Sequence, residues 1–120
     1  MSAMYPEQPR GLEVTSDSNP ALVGDYVLGP GKMVTLKTQV VCTRDGVTAG
    51  QWHLLAGFRR ETVNDPAVQV GNTRVIMEDK TDNLLNADYA VGAGGKVHVQ
   101  VTGLAATTLT WRVESNTTRT

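Results

Sequence analysis

The chain has 120 residues and a formal net charge of −1, from 11 Lys and Arg against 12 Asp and Glu. These charges are mixed along the sequence, which argues against a phosphate-binding surface built from clustered Lys and Arg and against a polybasic membrane patch. No apolar run approaches the length of a bilayer span, and this size predicts one domain around one hydrophobic core.

Cys42 is the single cysteine, so neither an internal disulfide nor a cysteine-based metal cage can form. Its setting, "TQVVCTR", suits a small buried thiol on a strand. The opening "MSAMYPEQPR" has no basic start followed by an apolar stretch, so it does not read as a signal peptide. The expectation is a protein made in a reducing cytoplasm, or assembled there into something larger. Valine and threonine are abundant, and twelve glycines and five prolines punctuate the chain. β-Branched residues between frequent turn residues mark an all-β domain.

Residues 1–20 contain three of the five prolines and few large apolar groups. They read as an extended N-terminal arm, because proline lacks an amide donor and keeps its neighbours extended. Met4, Tyr5, Leu12 and Val14 are spaced along it as candidate anchors for a partner. The sandwich proper is expected over 21–115, with 116–120 as a C-terminal tail. A short strand near 21–28 precedes a Gly-Pro-Gly turn at 29–31.

Residues 32–44 then alternate. Val34, Leu36, Thr38, Val40 and Cys42 share one face, and Thr35, Lys37, Gln39 and Thr43 the other, as in a half-buried strand. After the turn at Asp45-Gly46, Trp52, Leu54, Ala56 and Phe58 define the buried face of a second strand. Val68 and Val70, then Val75 and Met77, flank Gly71-Asn72, a pair suited to a two-residue hairpin turn with positive φ. A strand is expected over 88–91, followed by a flexible turn at 92–95.

Residues 96–115, "KVHVQVTGLAATTLTWRVES", read as a β-hairpin around the turn at 103–106. Val97, Val99 and Val101, then Leu109, Trp111 and Val113, form the inward faces. Strands with one apolar face each are satisfied by two stacked sheets. The fold class is therefore an antiparallel β-sandwich, jelly-roll-like or immunoglobulin-like, since six to eight short strands fit both.

The reactive residue types do not gather. His53 and His98 fall on polar faces with no acidic residue at metal-ligand spacing, so they read as exposed strand histidines. Glu78, Asp79 and Asp82 lack the glycine of a calcium loop and read as a solvated turn. Arg59, Arg60 and Glu61 read as exposed cross-strand pairs. No serine sits in a nucleophile elbow, and "GAGG" does not open a helix as a phosphate-binding loop does. The residues suggest no catalytic set, cofactor or metal.

"GGKVHVQVTGLAATTLTWRVES", with "QWHLLAGFRRE", resembles small β-sandwich modules of tailed-bacteriophage virion proteins. The likeness spans residues 32–113. It rests on a valine-alternating strand that ends in Val101-Thr102-Gly103, then a Thr-rich strand (Thr108, Thr110) with Trp111 near its close. The initiating Met suggests a free-standing chain and not the end of a fibre, and with the arm it looks like a head decoration (cement) protein. That resemblance implies a non-enzymatic virion protein assembled in the host cytoplasm, a homo-oligomer, specifically a homotrimer, bound to the major capsid protein. Tail, baseplate or fibre components, and non-viral carbohydrate- or protein-binding sandwiches, remain as alternatives.

Overall fold

The computed structural model describes residues 10–119. It is an antiparallel β-sandwich of eight strands: β1 (Arg10–Thr15), β2 (Pro20–Val27), β3 (Lys32–Arg44), β4 (Val47–Arg60), β5 (Val68–Lys80), β6 (Asn86–Val91), β7 (Lys96–Thr102) and β8 (Leu109–Arg119). One sheet has five strands in the order β1-β8-β3-β4-β5, and the other has three in the order β2-β7-β6. First pairs with last and second with second-last, so the chain's two ends wrap the meander β3-β4-β5.

The alternation read from the sequence is the alternation observed. Val34, Leu36, Thr38, Val40 and Cys42 of β3 are buried, as are Trp52, Leu54, Ala56 and Phe58 of β4. Val97, Val99 and Val101 face Leu109, Trp111 and Val113 across the sheets, and all six are buried. Trp52 and Trp111 stack at 5.6 Å between ring centroids at one end of the core, and Phe58 meets Tyr89 edge-on at 5.3 Å nearer the other. The β3–β4 turn has Asp45 at φ 53° and Gly46 at φ 79°, positive at both central residues as a two-residue hairpin of matching twist requires.

Several expectations change. The segment 96–115 is not a hairpin: β7 lies in the three-stranded sheet and β8 in the five-stranded one. Both strands carry a full apolar face, and crossing between layers lets those faces meet instead of lying side by side. Val68 to Lys80 is likewise one strand and not two around Gly71-Asn72. Gly71 takes φ 77° inside β5, where the register with β4 shifts between Leu55 and Gly57, so its freedom serves a bulge. Of the segment read as an arm, Arg10–Thr15 is β1, paired with β8, and Pro20 opens β2. Thr15 is buried, and its Oγ1 accepts the Trp111 indole N–H at 2.9 Å. Residues 116–119, read as a tail, continue β8 alongside β3.

Two polar groups fasten the layers. Tyr89 of β6 crosses the core and donates its hydroxyl to Thr38 Oγ1 at 2.6 Å, within 3.2 and 3.3 Å of the Leu36 and Leu54 carbonyls. Thr38 also shares a hydrogen bond with Ser115 at 2.7 Å. Arg60, expected in an exposed pair, is only 7% exposed. Its guanidinium donates to the carbonyls of Leu28 (2.9 Å), Asp65 (2.8 Å) and Val63 (2.7 Å). Backbone carbonyls thus satisfy a charge at the end of β4, and the loop 61–67 is wrapped around it. Gly95, buried at φ 79°, packs against this guanidinium, where a Cβ would run into both it and the Leu28 carbonyl. Arg59 and Glu61 form the exposed pair, at 3.2 Å.

Arg60→Met keeps most of the volume but removes the donors to the buried Leu28 carbonyl and to the part-buried Asp65 and Val63 carbonyls. It should cost roughly 3 kcal/mol in chemical denaturation, whereas Arg59→Met on the exposed face should cost little. Equal effects of the two would contradict the role given to Arg60.

Candidate interaction surfaces

The groups that could carry chemistry are mostly committed to the interior. Cys42 is fully buried on β3, and burial pushes its thiol from 9.0 up to about 11. Burial also raises the Tyr89 phenol from 10.0 to about 12; the hydrogen bond with Thr38 works against this and the nearby negative charge of Asp88 adds to it. The histidines are half-buried instead of exposed, and His98 Nδ1 sits 3.2 Å from the Gly24 carbonyl, where β2 bulges between Val23 and Asp25. The acidic run is divided: Glu78 and Asp79 belong to β5, and Asp82 accepts the Leu84 amide at 2.8 Å in the following turn. Among the described residues no three His, Cys, Asp or Glu side chains gather as a metal site, and no helix is long and apolar enough to cross a membrane.

The surface offers two distinct regions. The first is the outer face of the five-stranded sheet at β1. Gly11 and Thr15 point inward, so Leu12 and Val14 point outward, and they are 64% and 59% exposed. Register places Leu12 beside Arg112 of β8, and Arg112 beside Val41 of β3. Val41, Thr43, Thr110 and Arg112 line a shallow depression of about 200 Å³. Val41, which breaks the polar face of β3 in sequence, therefore joins an apolar patch and not the core. Of the four candidate anchors, Leu12 and Val14 lie together here; Met4 and Tyr5 lie outside the described residues.

The second region is β5. Its thirteen residues include none that is buried. The three-stranded sheet ends at β6, short of β5, and the inner face of β5 overhangs. Between the two strands runs a groove of about 340 Å³, lined by Gln69, Asn72, Thr73, Val75 and Glu78 from β5 and by Asn86 and Asp88 from β6. Gln69 Nε2 donates to Thr73 Oγ1 at 2.9 Å, and Thr73 donates to Asp88 Oδ1 at 2.6 Å, bridging the sheets across the groove. Glu78 accepts the Trp52 indole N–H at 2.9 Å and lies 3.4 Å from Lys80. In the sequence this region reads as two short strands and a turn, because a bulged strand with polar residues on its inward face breaks the period of two.

No family model matches the chain, and no curated protein is significantly similar in sequence. Among solved structures it is similar to a tailspike protein of Acinetobacter baumannii bacteriophage Fri1, a capsular polysaccharide depolymerase. The TM-score is 0.45 and the identity 11%, over 95% of this chain and 20% of that one. The chain thus spans about a fifth of that protein's length.

The buried acids set a base limit on stability. Folding keeps Cys42 and Tyr89 protonated above their ordinary values of 9.0 and 10.0, so the folded state holds more protons in that range. Their contribution is complete below pH 9 and is lost as pH rises through about 11 for the thiol and about 12 for the phenol. Melting temperature should fall over this window, and Tyr89→Phe should flatten the part above pH 10 while itself costing about 1–3 kcal/mol at neutral pH. An unchanged alkaline slope in Tyr89→Phe would contradict the assignment.

Proposed function

We propose that this chain is a non-enzymatic structural protein of a tailed-bacteriophage virion, which decorates the head shell by binding the major capsid protein. The resemblance of its 32–113 region to virion sandwich modules supports this reading. The observation that carries it is the placement of Leu12 and Val14, two large apolar side chains held outward on a paired strand beside Arg112 and Val41. Strand pairing with β8 fixes both side chains in advance, so little ordering entropy opposes their burial by a partner. Each is worth about 1.5–3 kcal/mol when fully covered, and many copies on a lattice reinforce a shell that no single contact would hold. Met4 and Tyr5, just ahead of β1 in sequence, extend the proposed contact.

Leu12→Asp with Val14→Asp tests it. The double variant should keep its circular dichroism and melting temperature, because both positions face solvent, and should lose co-sedimentation with undecorated capsid shells. Full attachment of the folded variant would overturn the reading.

The polar groove between β5 and β6 favours a second reading, a carbohydrate-binding module. Its amides and carboxylates (Gln69, Asn72, Asn86, Glu78, Asp88) are groups that hydrogen-bond sugar hydroxyls. Glycan-array binding without capsid attachment would select it.

A further inference from the structure

We propose that β5 is a self-association edge, and that residues 73–80 pair antiparallel with the same residues of a second copy across a two-fold axis between Ile76 and Met77. Neither the capsid reading nor the groove is needed for this.

β5 is a free edge of the five-stranded sheet: among the described strands only β4 pairs with it. The other sheet edges have six to eight residues, and β5 has thirteen. A long edge exposes a row of unpaired amides and carbonyls, which natural proteins usually guard with proline or charge. β5 contains no proline. Its lysine, Lys80, is held by the Leu85 carbonyl at 2.9 Å, and Glu78 by Trp52 and Lys80. The remaining charges, Arg74 and Asp79, are of opposite sign, so they can be matched by a second strand instead of repelling it. Val68, Val70, Val75 and Ile76 are 46–55% exposed along the same strand.

The register with β4 identifies the partner. Leu55 lies opposite Arg74, Leu54 opposite Val75, His53 opposite Met77, Trp52 opposite Glu78 and Gln51 opposite Asp79. Ile76 is therefore an extra residue that resets the alternation. Arg74, Met77 and Asp79 share the outer face, and Val75 and Glu78 the inner one. A second copy rotated about an axis between Ile76 and Met77 matches outer with outer and inner with inner. Arg74 then faces the partner's Asp79, twice per dimer, with Ile76 and Met77 at the centre. Neither Arg74 nor Asp79 has an ion-pair partner among the described residues. The strand is thus self-complementary in charge, as an isologous contact requires.

Analytical ultracentrifugation over a concentration series, on the wild type, Arg74→Asp, Asp79→Arg and the double exchange, tests this. The wild type should show a monomer–dimer equilibrium. Each single change turns two attractive pairs into two repulsive ones and should weaken the dimer by about tenfold or more. The double exchange should restore it to within a few-fold. Both positions are exposed, so circular dichroism should be unchanged in all four. The Leu12→Asp, Val14→Asp variant should dimerise normally, because β1 is at the opposite edge of the sheet; this separates failure here from failure of the capsid reading. A strictly monomeric wild type, a dimer indifferent to the single changes, or a double exchange no better than the singles would each overturn the proposal.

Discussion

A three-stranded sheet laid on a five-stranded one leaves the inner face of both outer strands to be closed by some other means, and β1 and β5 meet this constraint in opposite ways. At β1 the backbone closes in: Gly11 lies so near Val23 and Gly24 that a Cβ would clash, and Thr15 caps the indole of Trp111. The inner face is closed there at Gly11 and Thr15, and the outward Leu12 and Val14 remain uncovered. At β5 the smaller sheet does not cover the inner face and reaches across through Asp88. The inner face is mostly polar, with Gln69, Thr73 and Glu78 turned toward a groove beside Val75. Glu78 shields the edge of Trp52, and the Thr73–Asp88 bond holds the two sheets at their open side. An apolar inner face on β5 would have stood in water; the polar one makes the overhang tolerable.

This arrangement needs a stiff centre, and the interior supplies it through fully satisfied polar groups. No buried side-chain nitrogen or oxygen among the described residues lacks a hydrogen-bond partner. Tyr89 ties the small sheet to β3, β4 and, through Thr38, to Ser115 of β8. Arg60 ties the loop 61–67 to Leu28, just past the end of β2, and Gly95 of a third loop packs against its guanidinium. In a low-dielectric interior such groups are costly if misplaced, so they select one packing of the two sheets over its neighbours. Edges projecting from a body of this kind are presented in a fixed geometry, which suits surface recognition.

Much of this was legible from the residues. Strict alternation in 34–40 and 96–102 leaves only one face to bury, and a one-residue slip would expose all of it. The layer assignment of β7 and β8 was not legible, because two apolar-faced strands joined by a short connection satisfy the same pattern as a hairpin or as a crossing between sheets. β5 escaped for a related reason: bulges at Gly71 and Ile76 break the period of two, and a broken period reads as a turn. β1 was hidden by its neighbours, since prolines at 6, 9 and 20 suggest an arm although 10–15 contain none. Arg60 gives no sequence signal at all. Burial of a guanidinium among carbonyls depends on where three loops meet, which no local pattern encodes.

The two uncovered strands carry the proposed roles, β1 as a contact face and β5 as a pairing edge. Residue-resolved amide hydrogen exchange of the free protein, compared at low and high concentration, addresses the pairing edge most directly. The amides of 73–80 that point away from β4 should exchange rapidly in dilute solution and become protected as concentration rises, while those of β3 and β4 stay protected throughout. Protection of β5 that does not change with concentration, whether high or low, would contradict the account.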